Sequence, residues 1–378
     1  MKVAIIHPWF PQYREAFFTK LLSELAVRGI LLRIYYGETP PEWSARGDSL
    51  TPEMATRLPT RFFRIGSKDL VYKSLRKFDH DGPFDLVIVE QAVRNLETYL
   101  LMAKYAKRKI AFWGHGKTYT VAVGPLQEKL KRRITMRSSW FFAYTPGGAQ
   151  TLTDIGYPAS RITTVMNSID TEELSRSTQE IGEEEVEDFR ETHGLTGRTA
   201  LFMGGLDASK RLPFLIAAAD VLAQNEPDFR LLVIGEGSER RIIDDAIRSR
   251  PWLVYLGRAQ GKEKALALAA SDTIAMPGRV GLVAVDSFVA GRPIVTTNWP
   301  FHAPEFEYLV SGYNSCICEN SVEAFSKSLQ TVLYDDTLRA RLRRGARESA
   351  EMYTVDNMVG RFAQGIEEAL RQGTVETN

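Results

Sequence analysis

This sequence predicts two doubly wound α/β domains, and three observations carry that prediction. The chain has 378 residues, more than one hydrophobic core ordinarily supports. Apolar runs of strand length alternate with segments whose apolar residues recur at helical spacing, the pattern of a parallel sheet with crossover helices. That alternation pauses at an acidic stretch, Glu180 to Asp188, and then starts again.

In the first half, Val3 to His7 reads as a strand. Glu15 to Ala26 reads as a helix, with Phe17, Phe18, Leu21, Leu22 and Leu25 on one face and Gly29 as its stop. Strands follow at Ile30 to Tyr36, Leu86 to Glu90, Lys109 to Trp113, Trp140 to Tyr144 and Ile162 to Val165. The second half opens with strand Thr199 to Met203 and helix Leu212 to Gln224. Strand Phe229 to Ile234, helix Ser238 to Arg248, strand Leu253 to Leu256 and strand Ile294 to Thr297 come next.

Composition excludes several classes of function. Lys plus Arg total 48 against 47 for Asp plus Glu, so no global field draws the molecule onto nucleic acid. Cys316 and Cys318, one residue apart, fit neither a disulfide framework nor a zinc site and read as core thiols in a reducing compartment. The opening MKVAIIHPWF reads as a strand rather than a secretory signal, and no apolar run approaches the roughly 20 residues of a membrane span. The expected location is cytoplasmic, with peripheral association at a membrane face left open.

Open parallel sheets bind ligands beyond the carboxyl ends of their strands, which directs attention to the loops after Met203, Ile234, Leu256, Met276 and Thr297. After Met203 come Gly204 and Gly205, then Lys210 and Arg211 at a helix start, a pattern that suits a diphosphate but also describes a solvated lysine. Gly235-Glu236-Gly237-Ser238 half resembles a dinucleotide fingerprint. Arg240 stands at the third glycine, so a nicotinamide cofactor is rejected and a tight strand-to-helix turn is the plainer reading. The segment from Met276 to Pro293 holds a glycine loop, Gly278 to Gly281, that opens a helix bearing Asp286. Amides at Gly281, Leu282 and Val283 would hold a diphosphate, and the alternative is a buried helix whose glycines only turn the chain.

In this order, GGL-x3-K, G-x-G, and P-x3-GL-x3-D-x4-G-x-P before a strand, the residues resemble the C-terminal half of the family-four retaining glycosyltransferases. Val165 to Asp170 resembles that family's N-G-(I/V)-D junction, with Ser168 for glycine. The resemblance implies the GT-B fold, two Rossmann-like domains facing across a cleft. They would be an acceptor-binding domain at 1–170, onto which a final helix at 355–378 returns, and a donor-binding domain at 171–354. It implies that Lys210 neutralises the donor diphosphate, Gly281 to Val283 supply amides, Asp286 binds the ribose hydroxyls, and Gly257 and Arg258 flank the base. The co-substrate would be a nucleotide-diphosphate sugar, UDP or GDP, with no other cofactor.

Two departures stand out. Gly205 occupies a position usually held by Arg, and Gly278 occupies that of a Glu eight residues before the second acid, itself shortened here to Asp286. Arg279 or Arg211 could restore the missing positive charge.

In the first domain His115, after strand Lys109 to Trp113, could bond a sugar hydroxyl or steady the departing phosphate, or could be a structural loop histidine. The run through Gly116-Lys117-Thr118 satisfies a relaxed phosphate-loop pattern. Phe112 and Trp113, with a Gly124-Pro125 break, argue against it. Trp9, Tyr13 and Arg14 follow the first strand and are expected to face the acceptor. Aromatics there also serve as packing. Lys129 to Arg137 places basic residues around Leu130, Ile134 and Met136, the pattern of a helix that docks on anionic lipid or of a solvated helix face. His302 and Glu305 are second-rank candidates.

The expected chemistry is a retaining, metal-independent transfer to a saccharide or lipid-linked saccharide, in polysaccharide or lipopolysaccharide assembly. Asp79-His80-Asp81 has the metal-motif spacing but precedes a strand, at the wrong end of the sheet. A nucleotide-sugar epimerase on the same scaffold and a non-catalytic nucleotide-sugar binder are the alternatives.

Overall fold

The computed structural model describes residues 1–40, 49–66, 68–105, 109–116 and 125–375. The chain divides into two units, Met1–Ile169 with Val355–Asn378, and Asp170–Thr354. Lys117, Thr118 and Gly124 of the phosphate-loop pattern, and residues 376–378 of the final helix, lie outside the described residues.

Unit 1 is built on β1 (Lys2–His7), β2 (Leu31–Tyr36), β3 (Ala55–Arg57), β6 (Leu86–Glu90), β7 (Ile110–Gly114), β8 (Trp140–Ala143) and β9 (Ile162–Thr164). These form a seven-stranded parallel sheet among the described residues, in the order β3-β2-β1-β6-β7-β8-β9. Because successive side chains point to opposite faces, each strand feeds two cores. Val3, Ile5, Ala111, Trp113, Trp140 and Phe142 enter one core with Phe17 and Phe18 of helix α1 (Glu15–Val27). Ala4, Ile6, Ile110, Phe112 and Phe141 enter the other with Phe78 of α2 (Arg76–Asp81) and Leu101 of α3 (Leu96–Lys104).

Between β3 and α2 the chain makes an antiparallel hairpin of β4 (Thr60–Ile65) and β5 (Lys68–Lys73), which the sequence reading does not anticipate. The first core is completed by α14 (Val355–Val375), whose Met358, Phe362 and Ile366 are wholly buried. Phe362 stacks on Phe142 with ring centroids 4.3 Å apart, and Arg28 of the α1 end pairs with Glu367 at 2.7 Å.

Unit 2 repeats the plan. Its strands are β10 (Thr199–Met203), β11 (Arg230–Ile234), β12 (Leu253–Gly257), β13 (Thr273–Met276), β14 (Ile294–Thr297) and β15 (Ser315–Cys318). They pair in parallel in the order β12-β11-β10-β13-β14-β15. Numbered within the unit this is 3-2-1-4-5-6, the doubly wound order, with its reversal between β10 and β13. Helices α8 (Leu212–Asn225), α9 (Arg240–Ile247), α10 (Gly261–Ala269), α11 (Val283–Val289), α12 (Val322–Tyr334) and α13 (Asp336–Ala350) join or follow the strands. The acidic stretch falls in α6 (Glu172–Glu180) and α7 (Glu183–Thr192). Cys316 and Cys318 lie on β15 as free, half-buried thiols.

Candidate functional site

The reversal in strand order opens a crevice at the carboxyl ends of β10 and β13, and the glycine loops converge there. Gly204, directly after β10, takes φ 148° and donates its N–H to Ile234 O. Gly235, directly after β11, takes φ 142°, and a Cβ on it would lie 1.9 Å from Gly204 O. A Cβ on Gly237 would lie 2.3 Å from Leu206 O. These two glycines are thus required by backbone meeting backbone, the plainer of the two readings of that turn. Gly257, at the end of β12, is left-handed and accepts the Gly235 N–H at 2.7 Å, and Arg258 beyond it is exposed.

Asp207 caps a single helical turn by accepting from Ser209 N–H at 3.0 Å, and that turn carries Lys210 into the crevice. Lys210 Nζ donates to Arg279 O at 2.6 Å and lies close above Gly204. The Arg279 N–H donates to Ser209 O at 2.8 Å, so the loop after β13 lies flat on the Lys210 turn. Gly278 is the contact point: a Cβ there would fall 2.4 Å from Ser209 O and 2.6 Å from Lys210 C. No side chain, and therefore no Glu, fits this position without moving the loop.

Gly281 and Leu282 lead into α11, and the amides of Gly281, Leu282 and Val283 donate to no acceptor among the described residues. The loop is held from behind by His302, 4% exposed. Its Nδ1 accepts from Val280 N–H at 3.1 Å, its Nε2–H donates to Thr297 O at 2.8 Å, and its ring stacks on Phe306. Burial, reinforced by Lys210, Arg211 and Arg279, lowers the His302 pKa to about 4, so the ring is neutral and positions the loop. Glu305 is also buried, its Oε2 3.8 Å from where a Gly281 Cβ would stand, which brings a carboxylate to the head of α11.

Two expected residues are committed elsewhere. Asp286 is 7% exposed and its Oδ1 accepts from Lys264 Nζ of α10 at 2.7 Å, so any ligand meets an ion pair rather than a lone acid. Lys264 belongs to no motif, and only the packing of α10 reveals it. Arg211 is left-handed at φ 58°, bonds Pro277 O and Asn320 Oδ1, and lies over the Phe214 ring. It clamps the β13 loop, while Arg279 bonds Phe301 O through its Nε at the loop surface. Gly205 has Asp207 as its neighbour, where the resemblance would place an Arg.

In unit 1, His115 is exposed after β7 with its ring edge-on to Tyr144, 4.5 Å between centroids. The following Gly116, φ 72°, fits because a Cβ would strike Gly148 O at 2.4 Å in α5 (Pro146–Asp154). Tyr13 is 40% exposed and Trp9 is half-buried. Arg14 differs from expectation. It is 2% exposed, donates to Asn167 Oδ1 at 2.7 Å and to Met358 Sδ, and lies within 5.0 Å of the Trp113 ring centroid. An aromatic cage takes up its charge, so it faces the core rather than an acceptor. Next to it His7, buried against Phe18 and Trp113, has its pKa lowered to about 3 by burial and then by Arg14. Lys73 and Glu97, 3% and 2% exposed, form an internal ion pair at 2.7 Å. Asp79 and Asp81 are held by Lys104 Nζ and by the Tyr35 hydroxyl.

Residues 197–335 match the family model described as Glycosyl transferases group 1. The phosphatidyl-myo-inositol mannosyltransferase of Mycolicibacterium smegmatis is 26% identical over 151 residues, 38% of each chain. The chain matches between 28% and 43% of the length of such curated relatives. Among solved structures, HepE of Anabaena in complex with UDP superposes with a TM-score of 0.69 at 13% identity, over 97% of this chain and 100% of that one. A glycosyltransferase of Rickettsia africae gives 0.69 at 13% identity, over 98% of each. Described helices include none long and apolar enough to cross a membrane. Residues 197–335 therefore carry the match to the group 1 glycosyltransferases, on a chain that has the GT-B fold.

Proposed function

We propose that the chain is a retaining glycosyltransferase that moves a sugar from a nucleotide-diphosphate donor to a saccharide or lipid-linked saccharide acceptor. The observation that carries this reading is the meeting of Lys210 with the open amides at the head of α11, one cation and several N–H groups in one crevice. Charge on the leaving diphosphate is met by these groups, which makes a divalent metal unnecessary. UDP is the first base to test, since HepE is described in complex with UDP and with UDP-glucose.

Asp286 with Lys264 would bind the ribose, and Gly257 and Arg258 would flank the base. Glu305 stands in for the acid absent at Gly278 and accepts donor-sugar hydroxyls, a role its place beside Gly281 suits. In unit 1, His115, Tyr13 and Trp9 would receive the acceptor. Lys129, Leu130, Arg132, Arg133, Met136 and Arg137 are exposed on and just after α4 (Pro125–Thr135), while Ile134 anchors the helix in the core. That basic face with two apolar side chains would hold the protein on anionic lipid at the cytoplasmic side, in polysaccharide or lipopolysaccharide assembly.

A second reading, nucleotide-sugar binding without turnover, is favoured by Gly278, since the usual Glu cannot be accommodated there. A thermal-shift panel of UDP, GDP, ADP and TDP with their common sugars, run beside turnover with a saccharide acceptor, separates the readings. A ligand at 100 times its dissociation constant stabilises the fold by about 2.7 kcal/mol. Lys210→Ala should lose most of that, and Glu305→Gln should lose only the increment added by the sugar. Shifts without turnover would select the binding protein, isomerised sugar without acceptor would select an epimerase, and no shift with any nucleotide would overturn the proposal.

A further inference from the structure

Unit 2 carries a second concentration of charge at the pole opposite the crevice. Arg198 precedes β10, Asp272 precedes β13 and Arg292 precedes β14, so all three sit at the amino ends of the strands. Helix α13 adds Arg339, Arg343 and Arg347, four residues apart and hence on one face. Asp272 Oδ1 is shared by Arg198 at 3.4 Å, Arg339 at 3.6 Å and Arg343 at 3.5 Å. Arg198 and Arg339 also reach Asp336. Arg292 spends its Nε and Nη2 on Leu268 O and Ala269 O, each at 2.8 Å. Arg347 lies over the Gly291 turn, its Nε 2.7 Å from where a Gly291 Cβ would stand.

Of these five guanidinium groups, three pair with the two carboxylates. The residues left without an acid of their own, Arg292 and Arg347, flank Arg343, whose buried Nε has no hydrogen-bond partner among the described residues. Burial, followed by the repulsion of Arg343, pushes the Arg292 pKa down to about 10, and Arg343 is lowered as well. A purely structural network would match charges. Like charges at i,i+4 on one helix face cost stability unless an anion sits between them. Guanidinium forks suit oxyanions in particular, because they offer paired donors in a plane.

We propose that Arg343 and Arg347, backed by Arg292, form a binding site for a phosphate group at the amino ends of the unit 2 strands, separate from the donor crevice. The phosphate belongs to a soluble ion or ester or to a lipid headgroup, which present the same oxygens. The test uses the full chain, titrated with inorganic phosphate against chloride at matched ionic strength, and with phosphatidic acid vesicles against phosphatidylcholine vesicles. Wild type and Lys210→Ala should both gain about 2 °C in melting temperature at tenfold saturation by phosphate. Arg343→Gln and Arg347→Gln should gain none. Without phosphate, Arg347→Gln should melt at or above the wild-type temperature, since it removes a repulsive charge. Binding of phosphatidic acid vesicles that these two variants lose, with inorganic phosphate inert, would assign the phosphate to a lipid. Equal shifts in phosphate and chloride without arginine-dependent vesicle binding, shifts that survive both substitutions, or a lower ligand-free melting temperature for Arg347→Gln would each overturn the proposal.

Discussion

The two units share a strand order and differ in what holds their crevice ends together. Unit 2 closes its crevice with backbone against backbone: Gly235 on Gly204, Gly237 on Leu206, and Gly278 on the Ser209–Lys210 turn. Unit 1 has such contacts too, Gly37 on Pro8 and Gly116 on Gly148, but adds to them buried polar side chains, the neutral His7, the caged Arg14 and the Lys73–Glu97 pair. Glycine contacts pin peptide groups where amides and a lysine can face a phosphate. The rim residues His115, Tyr13 and Trp9 rest on those buried side chains. The proposed donor and acceptor sites thus have different materials beneath them.

The comparison is sharpest where one group is removed from each unit. Lys73→Met leaves Glu97 as an unpaired buried charge and should cost about 3–5 kcal/mol, read as an early urea transition of unit 1. The nucleotide-dependent shift of unit 2 should survive wherever the chain is folded. Restoration by Lys73→Met with Glu97→Leu would attribute the loss to the stranded carboxylate. A single transition in which both units fail together would break the comparison.

Gly235→Ala is the counterpart in unit 2. Its Cβ would stand 1.9 Å from Gly204 O at a φ of 142°. The expected cost is about 2–4 kcal/mol, with the nucleotide shift lost at temperatures where the variant remains folded. A variant that keeps both would mean that the glycine contact does not set the crevice.

The smallest effect is a pH dependence shared by both units. His7 and His302 have folded pKa values of about 3 and about 4, below the ordinary 6.5, because burial disfavours the imidazolium. Their unfolded forms take up protons first as pH falls. Stability is therefore complete above about pH 6.5 and is lost on descent through 6.5 towards the folded values. Each histidine should cost about 2 kcal/mol between pH 6.5 and pH 5, measured as a drop in urea midpoint. His302→Gln should flatten the slope for unit 2 alone, and an unchanged slope there would place the titration elsewhere.

Much of the fold was legible from period alone. Strands Leu86–Glu90, Thr199–Met203 and Ile294–Thr297 are legible to the residue, because each is a short run dominated by apolar or β-branched residues. The hairpin Thr60–Lys73 is not, since Arg61, Arg64 and Asp69 break its apolar pattern and β4 lies largely at the surface. In the crevice, the glycines and Lys210 were visible as spacing. Lys264 was invisible because its partner Asp286 is 22 residues away on another helix. Arg14 was misplaced for a similar reason: nothing local announces that Trp113, Tyr144 and Asn167 will surround it.

Helix α14 gives the chain an order of assembly. Everything unit 2 needs, Asp170–Thr354, has been synthesised before the first residue of that helix leaves the ribosome. Until then the side of Phe17, Trp113 and Phe142 that Phe362 covers is open, because Phe362 and its neighbours come last. The half translated first is thus finished second, and during elongation its open aromatic face is the surface most in need of a chaperone.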